Sequence, residues 1–411
     1  MDVRLPNGAL LAAVIAAFVL ASCDPPPPEI TSANFEQGAL ADLDLNQPTA
    51  MTIGTDGRLY ISELEGRILA ITLDPSGRTA REIEEIANAE DFNQILGITA
   101  DPTTSETRIY VSHNFVNGTA PHPFPNEIIR LAAPDFVAET VISGLPVSGH
   151  NHGTNALAFT EDGRLLIAQG GTTSTGAPSD ANDRRWLDWD ETPLSGAFLV
   201  ADVQRDGFDG NVTYDSNLAA STTNQVTGDV RVFSPGHRNT YGFVVHTNGN
   251  VYSLDNGSSE PVARSIDCDT LGPPPENDPD QLNLVVEDGY YGHPNRNRGR
   301  SDQRQCVYRD PAQENNEENM LRLVPPSSNA IIEFRGSDFG GEWNGDLVYA
   351  WWSGGEVRRL LLSSDGASIE GEEVITSGLS LPLAMVQHPE TGIIYVAEFG
   401  SGTVTFLAPA G

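Results

Sequence analysis

The sequence predicts an all-β chain, folded as a six-bladed β-propeller of three- to four-stranded antiparallel blades, and three observations lead there. An apolar strand, a glycine-containing turn and a second apolar strand recur six times along the 411 residues. A third strand often follows the pair. No long amphipathic helix separates the units. A sheet this small cannot bury both faces alone, so radial packing against like sheets is the arrangement that covers them. A sandwich, the main rival, needs far fewer strands in one domain.

Taken in order, the first unit is MTIGTDGRLYISELEGRILAITL from Met51, with Arg67-Ile68-Leu69-Ala70 as its third strand. LGITADPTTSETRIYVSHN follows from Leu96. The third unit alternates through Ala156–Phe159 and Leu165–Ala168, with Glu161-Asp162-Gly163 as the tight turn of a hairpin. YGFVVHTNGNVYSLDNG from Tyr241, NGDLVYAWWSGGEVRRLLL from Asn344 and LAMVQHPETGIIYVAEFGSGTVTFL from Leu383 complete the set, the last with Thr403–Phe406 as a third strand. With about 380 residues after the leader, six blades of roughly 60 residues make one closed domain, placed at 39–411.

The N-terminus reads as an export signal. Residues 7–22 form an apolar run ending in small residues, shorter than a comfortable membrane span. Leu20-Ala21-Ser22-Cys23 resembles the bacterial lipobox. Residues 1–22 are then a lipoprotein signal peptide, Cys23 the lipid-bearing first residue, and 23–38 a spacer that includes the proline run 25–28. A lipid-anchored protein facing the periplasm or the cell exterior is expected. Removing Cys23 leaves Cys268 and Cys306, an even pair in a chain bound for an oxidising compartment, so a disulfide between them is expected. Closing that loop stabilises by about 3–4 kcal/mol if the bond is unstrained.

All 23 basic residues are arginine, and 57 acids bring the net charge to −34. Nucleic acid and anionic membrane surfaces are poor partners for such a surface, which confines membrane contact to the lipid anchor. The absence of lysine excludes Schiff-base chemistry and a P-loop lysine. Asp206 and Asp209 in DGFDG read as solvated loop carboxylates, with Ca²⁺ as the less favoured alternative.

Two loop constellations carry candidate chemistry. His150 and His152 enter the third unit's hairpin, where a rigid sheet places loop residues for ligand contact. A histidine there suits a general base or a metal ligand, and equally a structural hydrogen bond. A metal reading gathers His150, His152, His237 and His293 near a central channel. Ser234-Pro235-Gly236-His237-Arg238-Asn239 leads into the fourth unit in the same way. Its guanidinium fork and two-sided amide suit carboxylates or quinone oxygens.

His152 followed by Leu157, Gly236-His237-Arg238-Asn239, Asp280-Gln281-Leu282-Asn283 and Gly289-Tyr290-Tyr291-Gly292-His293-Pro294 stand in an order that resembles the soluble glucose/sorbosone dehydrogenase family. The resemblance runs from about residue 40 to 408. It implies a six-bladed propeller using pyrroloquinoline quinone (PQQ), with His152 as base and Arg238 and Asn239 on the cofactor. Ca²⁺ is implied as an aid to cofactor binding. The segment from Ser377 to Gly411 departs from the family in having no basic residue to face a tricarboxylate, and Arg358 and Arg359 read as alternate faces of one strand.

Two functions follow. One is a membrane-anchored quinoprotein that oxidises a sugar, alcohol or hemiacetal and passes electrons to a separate acceptor. The other is a non-catalytic propeller lipoprotein that binds a glycan or a protein partner.

Overall fold

The computed structural model describes residues 35–88, 91–115, 125–147, 152–172, 192–214, 227–257, 279–293 and 319–410. Cys23, Cys268, Cys306 and His150 lie outside the described residues, and with them the expected lipidation and disulfide.

The chain forms six four-stranded antiparallel sheets, as predicted. After β1 (Phe35–Ala39), blade 1 is built from β2 (Pro48–Ile53), β3 (Leu59–Glu63), β4 (Ile68–Leu73) and β5 (Ala80–Ala87). Blade 2 holds β6 (Gln94–Ala100), β7 (Arg108–Asn114), β8 (Asn126–Ala132) and β9 (Val137–Leu145). Blade 3 holds β10 (Thr154–Phe159), β11 (Leu165–Gln169), β12 (Ala197–Ala201) and β13 (Val230–Pro235). In blade 4 the strands are β14 (Thr240–Val245), β15 (Val251–Asp255), β16 (Asp280–Val285) and β17 (Met320–Val324). Blade 5 comprises β18 (Ser328–Glu333), β19 (Leu347–Trp351), β20 (Glu356–Leu362) and β21 (Ile369–Ser377). Blade 6 comprises β22 (Pro382–Gln387), β23 (Ile394–Glu398) and β24 (Thr403–Pro409), with β1 as its fourth strand. No α-helix occurs among the described residues.

The first strand of each blade lies innermost. β2, β6, β10, β14, β18 and β22 each pack on the next, and β22 returns to β2. Each interface between neighbouring blades has its own apolar cluster, for example Tyr110, Leu157, Leu165 and Leu199 between blades 2 and 3. Close approach of the inner strands explains two glycines. A Cβ on Gly97 or Gly242 would lie 2.1 Å from the carbonyl oxygen of Asn155 or Asn329 in the next blade. The ring encloses a channel lined by residues of the inner strands, with a cavity of about 110 Å³. Tyr241 of blade 4 donates its hydroxyl across that channel to the carbonyl of Thr49 in blade 1, at 3.1 Å. Burial raises the pKa of this phenol.

The structure differs from the sequence reading in two places. The unit read from Asn344 holds the second and third strands of blade 5, because the inner strand is the earlier run Ser328–Glu333. Strand β1, which the sequence reading gives almost wholly to the spacer, pairs with β24 from Phe35↔Pro409 to Ala39↔Thr405. Its apolar signal is weak because only one neighbour covers it, and its burial pattern is correspondingly mixed.

Candidate active site

The entrances to the inner strands form one end of the propeller, and those of blades 1, 4 and 6 share a device. The residue two before the strand gives its backbone N–H to the side chain that closes the second strand. Asn46 donates to Glu63 at 2.8 Å, Arg238 to Asp255 at 3.1 Å and Ser380 to Glu398 at 2.6 Å. Blade 2 has a related contact to an imidazole: Asn93, the residue before β6, donates to His113 Nε2, one residue short of the end of β7, at 3.2 Å. His113 Nδ1 lies 3.4 Å from Glu127, but the two do not form an ion pair. Burial pushes the imidazole down to about 4 and the Glu127 carboxyl up, so the neutral ring donates from Nδ1.

His152 and Arg238 occupy this station in blades 3 and 4, each two residues ahead of its inner strand, and both are buried. His152 Nδ1 lies 3.0 Å from the carbonyl oxygen of Gly171. A carbonyl only accepts, so Nδ1 carries a proton, and in the neutral tautomer this bond selects the lone pair is on Nε2. Gly171 in turn gives its N–H to the carbonyl of Arg238 at 2.8 Å. Gly170 fills the remaining gap. A Cβ on it would lie 2.8 Å from both His152 Cβ and Asn239 Oδ1. The three residues singled out from the sequence therefore meet around one two-glycine strip.

Asp255 moors the Arg238–Asn239 backbone, its second oxygen accepting the Asn239 N–H at 2.8 Å. Arg238 Nη1 donates to the carbonyl of Asn256 at 3.2 Å. The side-chain amides beside it run as a chain. Asn155 Nδ2 donates to Asn239 Oδ1 and to the carbonyl of Thr240, both at 2.9 Å. Asn239 Nδ2 donates to Asn256 Oδ1 at 3.3 Å, and Asn256 Nδ2 to Asp280 at 2.7 Å. Sequence reasoning missed Asn155, Gly170, Asp255 and Asn256, and gave Asp280 no role. Gly170 and Asp255 are ordinary strand-end residues until the sheet sets them beside the loops.

His237 is held by a hydrogen bond and a ring stack. Ser234 spends its hydroxyl hydrogen on the carbonyl of Gly289, so its oxygen accepts from His237 Nε2 at 3.0 Å. The ring stacks on Tyr291 with centroids 4.4 Å apart. Among the described residues no group of three His, Cys, Asp or Glu side chains is arranged to hold a metal ion, so His152, His237 and His293 do not converge on one. Asp209 instead accepts hydrogen bonds from Asn211.

Arg358 and Arg359, read from the sequence as alternate faces of one strand, are both ion-paired within blade 5. Arg358 lies over Trp351 and pairs with Glu356 and Glu372. Arg359, on the opposite face, pairs with Asp346 and Glu373 over Trp343.

A closed ring of six blades with its polar loops at one end defines the class of protein as a loop-site propeller. Residues 45–404 match the profile described as Glucose / Sorbosone dehydrogenase, and the chain belongs to that family. It is 26% identical over 315 residues to quinoprotein glucose dehydrogenase B of Acinetobacter calcoaceticus, a match covering 70% of this chain and 59% of that protein's length. The soluble aldose sugar dehydrogenase of Escherichia coli in its apo-form is similar in structure, with a TM-score of 0.64 and 15% identity over 92% of this chain and 100% of that one. The PQQ-bound form of the aldose sugar dehydrogenase of Streptomyces coelicolor gives a TM-score of 0.60 and 16% identity over 93% of this chain and 99% of that one.

Proposed function

We propose that this protein is a PQQ-dependent dehydrogenase that oxidises a sugar hemiacetal or a related alcohol, with His152 as the base. The observation that carries the reading is the meeting of His152, Arg238 and Asn239 around Gly170 and Gly171. The donor set fits the cofactor. A guanidinium and an amide suit quinone and carboxylate oxygens, and the missing Cβ of Gly170 lets His152 and Asn239 pack side by side. Arg238 and Asn239 would hold the cofactor, which supplies the two-electron acceptor for a hydride leaving the sugar carbon.

His152 takes the hydroxyl proton on Nε2, while Gly171 fixes the ring through Nδ1 and stabilises the imidazolium that forms. The resting base returns when that proton passes to solvent. Ca²⁺ is proposed as an aid to cofactor binding on the family's resemblance. Export, lipidation of Cys23, a Cys268–Cys306 disulfide and a separate electron acceptor belong to the same proposal. The similarity to sugar and glucose dehydrogenases supports the dehydrogenase part of this reading.

The test is titration of the purified protein with PQQ plus Ca²⁺, followed by absorbance and by dye reduction across a panel of aldoses. Saturable binding with sugar-dependent bleaching is expected. No binding at tens of micromolar PQQ overturns the proposal and leaves a non-catalytic binding propeller.

A further inference from the structure

Asn155 is fully buried on the inner strand of blade 3, and its Oδ1 makes no hydrogen bond. An orphaned buried acceptor costs on the order of 1–3 kcal/mol. Its two amide hydrogens are both used, one on Asn239 and one on the carbonyl of Thr240. The Thr240 carbonyl can only accept, so the atom facing it is the NH₂ of Asn155. The atom of Asn239 that meets the same NH₂ is then its oxygen.

The other end of the chain agrees but holds Asn239 less closely, at 3.3 Å against the 2.9 Å of the Asn155 contact. Asp280 accepts N–H groups from Gly257 and Ser328 as well as the side chain of Asn256. Facing that acceptor, Asn256 presents its NH₂, which turns its oxygen toward Asn239. Asn239 thus has oxygen toward Asn155 and NH₂ toward Asn256, with no reversal that leaves either neighbour satisfied.

We propose that Asn155 is a positioning residue: through Asn239 it locks a relay running Asn155–Asn239–Asn256–Asp280, so that Asn239 offers an anionic cofactor donor hydrogen rather than carbonyl oxygen. The inference rests on the PQQ reading above. It also gives blade 3, which carries the base, a direct hold on the blade 4 residue that grips the ligand.

The test is a double-mutant cycle on the full chain with Asn155→Leu, Asn239→Ala and the double variant. Each is taken through urea unfolding without ligand and through PQQ titration read by quenching of intrinsic fluorescence. Asn155→Leu is expected to weaken PQQ binding about tenfold, about 1.4 kcal/mol. In the Asn239→Ala background the same change should alter affinity less than about twofold, since no amide remains to be oriented. Equal losses in both backgrounds overturn the inference, leaving Asn155 a structural residue only. If Asn155→Leu does not fold, Asn155→Ala carries the same expectation. Should the unaltered chain bind no PQQ while the unfolding cycle still couples the two asparagines, the cofactor reading has failed, and the inference falls with it.

Discussion

His152 and Arg238 are joined through a single peptide unit's neighbourhood: Gly171 accepts the imidazole Nδ1–H on its carbonyl and gives its own N–H to the Arg238 carbonyl. The His152 ring and the Arg238 backbone of adjacent blades are thereby held in register, the first link through the imidazole and the second through backbone alone.

Replacement of the base is the first prediction. His152→Ala should cut turnover by about 10²–10⁴-fold, the range for losing a positioned general base. PQQ affinity should change only a few-fold. Steady-state dye reduction paired with cofactor titration checks it, and near-native turnover would remove His152 from the mechanism.

Gly170→Ala should separate what the strip brings together. The new methyl would sit 2.8 Å from both His152 Cβ and Asn239 Oδ1, so one of them must move. A destabilisation of about 1–3 kcal/mol is expected from overpacking. Turnover should fall more than tenfold in the folded variant, because positioning errors of about an ångström are costly. Unfolding curves and kinetics on the same preparation distinguish the two effects.

His113 should make stability depend on pH. Its imidazole binds a proton near pH 6.5 when unfolded and only near 4 when folded. Between those values the unfolded chain holds more protons, so its stability falls as pH drops from 6.5 toward 4 and this contribution levels off below. Urea unfolding of the native chain and His113→Gln across pH 7 to 4 isolates it. The difference between the two should change with pH in that window, and a constant difference would refute the assignment.

Arg359→Met should destabilise without touching the chemistry. Arg359 is 8% exposed, and its partner Glu373 is 5% exposed, so the substitution strands a buried carboxylate. Breaking one partner of such a pair costs about 3–5 kcal/mol. PQQ affinity of the folded fraction should be unaltered; a large loss would mean that this cation serves the cofactor after all.

Much of the architecture was legible because the hairpins alternate with period two, and a periodic pattern needs no tertiary information. The inner strand of blade 5, SNAIIE, escaped because its polar start hides the alternation. Strand β1 escaped because an outer strand is half solvated. Of the site, His152, Arg238 and Asn239 could be found as unusual residues at strand entrances. Asn155 could not. Its importance lies in what faces it across the blade boundary, 84 residues away at Asn239, and no local spacing encodes that.

The pairing of β1 with β24 has a consequence in time as well as in space. Of the strands of the ring, the one holding Phe35 is synthesised first and the one holding its partner Pro409 last. Throughout synthesis the first strand is an unpaired edge, and the ring stays open until the final blade arrives. Closure is therefore a single late event. A chain that stops short of β24 leaves β1 without its strand and the five earlier blades without the clasp that turns a row into a circle.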